Sequence, residues 1–163
     1  ILVTFLRDPL ERAVSQFYYH KHNLGTFGES SVTFGDYLRS ELSGFREILD
    51  NGIVWQFAWD QYLRKRDWKR FGDEASLYRA AIENIRKVHF VGFQDRMDAE
   101  LPQLARFLGC GSHAEMLPRA NATEDKPVNP VVETVDQANF ERMAALDIRF
   151  VAEVRRTHRQ GPL

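Results

Sequence analysis

Residues 1–17 read ILVTFLRDPLERAVSQF, and the fold follows from how this stretch divides. Residues 1–6 are a continuous apolar, β-prone run, the pattern of a strand covered on both faces. Asp8 has the chemistry of a helix N-cap, and Pro9 suits the first helical position, where its missing N–H costs nothing. Glu11 stands three residues after Asp8, a capping-box spacing. Leu10, Ala13, Val14, Phe17 and Tyr18 recur at helical spacing, which predicts a helix over 9–22. Arg7 therefore sits on a tight strand-to-helix hinge.

Further along, TFGDYLRSEL predicts a helix starting around Asp36. Asp50-Asn51-Gly52 reads as a turn, followed by a helix with Ile53, Val54, Phe57, Ala58 and Tyr62 inward. DEASLYRAAIENIRK gives a short helix on Leu77, Ala81 and Ile85, and VHFVGF (88–93) a second strand. DRMDAELPQLARFLG is helical with Leu101, Leu104, Ala105 and Leu108 inward and Gly109 as its stop. Pro102 requires that helix either to start near Glu100 or to bend. PRANATEDKPVNPV has no periodicity and reads as a long irregular loop, and VDQANFERMAALDIRFVAEVRR as one closing helix on Phe140, Met143, Leu146, Phe150 and Val154. Two strands each followed at once by a helix indicate an α/β fold with a parallel sheet. In such sheets ligands bind beyond the carboxyl ends of the strands.

The totals narrow the function classes. At 163 residues the chain suits a single domain, 1–163, and 44% hydrophobic residues supply a packed core. A net charge of −1 argues against a general nucleic-acid binder. One cysteine, Cys110, excludes an internal disulfide and favours a reducing compartment. No apolar run approaches the roughly 18 residues of a membrane span. Because the chain opens inside a buried-type strand, we expect it to be the C-terminal portion of a larger fold.

Arg7 and Ser15 are eight residues apart across the hinge, close enough for both side chains to reach one spot. A guanidinium fork plus a hydroxyl suits a phosphate. The alternative is that Arg7 pairs with Asp8 or Glu11 and Ser15 is only a small helix residue.

FLRDPLERAVSQFYYHK resembles the 3′-phosphate-binding segment of sulfotransferases that use 3′-phosphoadenosine 5′-phosphosulfate (PAPS), especially the carbohydrate sulfotransferases of heparan and chondroitin type and their bacterial relatives. LDNGIVWQFA, VHFVGFQDRMDAELPQLARFLG, NATEDKP and VDQANFERMAALDIRFVAEV are similar, in the same order, to later family segments. The resemblance implies a P-loop-NTPase-like parallel sheet flanked by helices, here partial and helix-rich. It implies that Arg7 and Ser15 hold the 3′-phosphate of PAPS, and that Asn121, Thr123 and Lys126 lie on a loop closing over the nucleotide. Without it, that loop reads as a solvated connector. PAPS is then the co-substrate, with no metal, and the acceptor a hydroxyl of a carbohydrate or other small molecule. A bacterial cytoplasmic enzyme fits better than a Golgi-lumen one. The family's glycine-containing phosphosulfate loop and its catalytic base fall upstream of the matching residues, so no catalytic residue is assigned and the chain is expected to be incomplete for catalysis.

Two other readings stay open. A kinase-like P-loop protein is disfavoured by the lack of a Walker lysine and of an acidic pair for magnesium. A non-catalytic helical interaction domain is the other. His20 and His22 read as a surface helix end rather than a base or metal pair, and His89 as a core or edge histidine. RKRDWKR (64–70) is a solvated face or an acidic-glycan contact, and RRTHR (155–159) complements a helix dipole. Trp55 and Trp59 read as core before acceptor wall.

Overall fold

The computed structural model describes residues 1–23, 32–41, 43–58, 71–110 and 134–158. In chain order these form β1 (Val3–Leu6), α1 (Pro9–Asn23), α2 (Phe34–Arg39), α3 (Ser43–Leu49), α4 (Gly52–Ala58) and α5 (Glu74–Ile85). Then come β2 (Phe90–Phe93), a 3-10 turn (Gln94–Arg96), α6 (Met97–Phe107), α7 (Thr134–Met143) and α8 (Ala145–His158). The described part is mostly helical, with one small parallel sheet.

The two expected strands pair in parallel, from Val3 opposite Phe90 to Leu6 opposite Phe93. A parallel pair needs a long crossover, and α1 to α5 supply it. Alternation of side chains divides the sheet. Leu6, Val91 and Phe93 face an apolar cluster shared with Ile53, Val54 and Trp55 of α4, Leu77 and Ala81 of α5, and Phe150 and Val154 of α8. On the opposite face the Phe5 ring lies across Gly92, where a Cβ would collide with it. A second apolar cluster joins α1, α2, α3 and α7 through Phe17, Tyr37, Leu38, Phe45, Leu49 and Phe140.

α1 begins as its sequence predicts. The Asp8 carboxylate accepts the N–H groups of Leu10 (2.9 Å) and Glu11 (3.1 Å), a cap that stabilises by about 1 kcal/mol. The capping box is only half made, because Glu11 turns toward Arg7 instead of back to Asp8. Ala13, Val14 and Phe17 are buried, as the periodicity requires.

Three local expectations need correction. α2 starts at Phe34 rather than Asp36. Thr33 is its N-cap, and Asp36 completes a full capping box by accepting the Thr33 N–H at 2.9 Å. The expected single closing helix is two helices, α7 and α8, meeting at Ala144. The break occurs because the Asn51 side chain accepts the Leu146 N–H (2.8 Å), taking it from the helical ladder. α6 begins at Met97 rather than near Glu100 and carries Pro102 inside it. Ala105 is buried there, but Leu101 and Leu104 are half-buried and Leu108 is 42% exposed, so the apolar stripe is only partly covered. Gly109, at φ 70°, ends α6 as expected. Its N–H donates to Arg106 O and the Cys110 N–H to Ala105 O, the paired bonds of a left-handed helix stop.

Candidate functional site

Leu6 and Phe93 are the last paired residues of the sheet, so Arg7 and Gln94 are the first residues beyond its carboxyl edge. A cleft of about 210 Å³ opens at that edge. Its polar lining is Thr4, Arg7, Arg12, Ser15, Gln16, Gln56 and Gln94. Its apolar floor includes Leu6, Ile53 and Phe57. Among the described residues, no aspartate or glutamate lines it. On a chain of net charge −1, this is a local cationic surface.

Arg7 and Ser15 therefore line one cleft, one from the end of β1 and the other from the second turn of α1. The turn is tight because Asp8 caps and Pro9 enters the helix with no spacer. The expected alternative partner of Arg7 is present but loose. Arg7 Nε lies 3.7 Å from Glu11 Oε2, and the Glu11 side chain is 53% exposed. A solvated pair of that length contributes little. The Arg7 side chain is 29% exposed, and its buried Nε has no hydrogen-bond partner among the described residues. Asp8 does not pair with it; its carboxylate is spent on the helix cap.

Arg12, unassigned by the sequence reading, supplies a second cation to the same wall. It is half-buried, and its Nη1 donates to Ile48 O at 3.0 Å. Burial pulls its pKa below the ordinary arginine value, opposed by the nearby Asp147 carboxylate. Asp147 itself accepts the N–H groups of Ile53 (2.9 Å) and Val54 (2.7 Å), the first turn of α4. α4 in turn presents Gln56 and Phe57 to the cleft. Gln16, Gln56 and Gln94 form no side-chain hydrogen bond among the described residues, so their carboxamides are available to a ligand. The arrangement can hold an oxyanion beside hydrogen-bonding neutral groups.

Asn121, Thr123 and Lys126 lie outside the described residues, as do RKRDWKR (64–70), Trp59, Tyr62 and the side chain of His22. His20 is away from the cleft. Its ring meets the Phe45 edge at 5.1 Å, burial lowers its pKa, and neither ring nitrogen has a hydrogen-bond partner among the described residues. His89 is an exposed edge histidine whose Nδ1 accepts the Leu2 N–H at 3.0 Å. Trp55 is buried against Phe71, in the core and not on an acceptor wall. Among the described residues there is no group of three metal-ligating side chains and no helix long and apolar enough to cross a membrane.

Applying the strand-edge rule to the second strand as well as the first would have found Gln94. Gln56 carried no sequence signal, since only the packing of α4 under the sheet brings it to the edge.

No family model matches this chain, and no curated protein or solved structure matches it.

Proposed function

We propose that this chain is part of a PAPS-dependent sulfotransferase, with Arg7 and Ser15 holding the 3′-phosphate of the donor. On this reading β1 and β2 belong to a P-loop-NTPase-like sheet. The sulfuryl group passes to a hydroxyl of a carbohydrate or other small acceptor. The observation that carries the reading is that Arg7 and Ser15 line one cleft beyond the carboxyl end of β1. The Arg7 side chain lines the cleft and makes no hydrogen bond among the described residues, which leaves its guanidinium to a phosphate oxygen. Arg12 adds charge to the same wall. The reading gives this chain the far anchor of the nucleotide and assigns it neither the base nor the phosphosulfate loop. Asn121, Thr123 and Lys126 remain the proposed closing loop.

Calorimetric titration with adenosine 3′,5′-bisphosphate and adenosine 5′-monophosphate tests it. The bisphosphate should bind more tightly by about tenfold or more, the scale of one charge-assisted contact. Arg7→Ala should abolish the difference. Equal affinity for the two nucleotides in the unmodified protein would overturn the proposal.

A further inference from the structure

The cleft is larger than a phosphate needs. Its volume is about 210 Å³, and a tetrahedral oxyanion fills only part of that. The charges are also one-sided. Arg7 and Arg12 come from the β1–α1 side, whereas Gln56 comes from α4 and Gln94 from the end of β2. The second side is neutral, and each carboxamide there offers both donors and an acceptor. A second anion would meet no cation on that side. An apolar group would strip water from two amides and leave them unpaired. A hydroxyl, itself donor and acceptor, satisfies both. Phe57 and Ile53 of α4 offer an apolar surface to the carbon face of a ring.

We infer that the cleft takes a sugar phosphate as one unit, its phosphate on Arg7, Arg12 and Ser15 and its ring hydroxyls on Gln56 and Gln94. This rests on the phosphate assignment in the reading above, but not on sulfuryl transfer or on adenine. Specificity for the sugar resides in the two carboxamides.

Gln56→Leu and Gln94→Leu, singly and together, keep the side-chain size and remove the amides. Both side chains are exposed, so neither change disturbs the core. The probes are ribose 5-phosphate, adenosine 3′,5′-bisphosphate and inorganic phosphate, measured by calorimetry on the whole chain. The double variant should weaken the sugar phosphates by about tenfold or more and leave inorganic phosphate unchanged. Arg7→Ala should weaken all three. Sugar-phosphate binding untouched by the double variant would overturn the inference, as would inorganic phosphate binding as tightly as the sugar phosphates, or no binding of any of them. Glutamine-dependent binding of ribose 5-phosphate without preference for adenosine 3′,5′-bisphosphate would uphold this inference while defeating the donor assignment.

Discussion

Asn51 and Asp147 cap each other's helices. The Asn51 side-chain oxygen accepts the Leu146 N–H at 2.8 Å at the start of α8. The Asp147 carboxylate accepts the N–H groups of Ile53 and Val54 at the start of α4. Asn51 does this from a left-handed backbone conformation, φ 51°, which asparagine tolerates better than most residues. Two helix starts are thereby satisfied in the protein interior, one of them by a bond between residues 95 apart in sequence.

Asp147→Ala should destabilise the fold by about 1–3 kcal/mol, because it leaves buried N–H groups unpaired. Asp147→Asn, which keeps one acceptor oxygen, should cost less. Urea unfolding followed by circular dichroism should show a lower midpoint at an unchanged slope. A midpoint equal to the unmodified protein's would refute the cross-cap.

Arg7→Ala should separate binding from stability. Among the described residues Arg7 forms only the 3.7 Å pair with the exposed Glu11, so its loss should change stability by no more than about 0.5 kcal/mol. Affinity for the bisphosphate should fall by about tenfold or more. Ser15→Ala removes a neutral bond and should lose less, roughly three- to tenfold. Raising the salt should weaken the unmodified protein more than Arg7→Ala, since the cation has gone from the variant.

Acid stability should depend on Asp36. Hydrogen bonds from Thr33, with help from Arg39, lower its pKa from 3.8 to about 2. A carboxylate depressed in the folded state stabilises above its unfolded pKa, and that contribution disappears as pH falls through the folded value. The contribution is therefore lost between about 3.8 and about 2. Asp95, held low by the two-point Arg155 pair at 2.7 and 2.8 Å, acts in the same direction. Thr33→Ala should raise the Asp36 pKa in an NMR titration and move acid unfolding to higher pH. An unshifted Asp36 titration would count against the capping box.

Gly92→Ala should disrupt the parallel pair, since the new methyl meets the Phe5 ring. Overpacking of this kind costs about 1–3 kcal/mol. Phe5→Leu in the same chain should recover part of the loss in melting temperature. A melting temperature unaffected by Gly92→Ala would show that Phe5 does not lie across the glycine.

Local signals made much of the fold legible. Short apolar, β-prone runs identified both strands. Asp8-Pro9 marked the start of α1, Gly109 the end of α6, and Asp50-Asn51-Gly52 the turn before α4. The T-x-x-D of Thr33 and Asp36 was a capping signal that the sequence reading passed over. The unbroken apolar spacing of 135–156 concealed the break at Ala144, because that break is made by a side chain from elsewhere in the chain.

From sequence alone came the hinge that carries Arg7 and Ser15, because strand, cap and helix there are encoded within seventeen consecutive residues. Tertiary structure alone decided what faces them. Gln56 and Gln94 reach the same cleft through α4 packing beneath the sheet and β2 pairing with β1. Contacts between distant segments leave no periodicity in either segment, so no local pattern could have announced them.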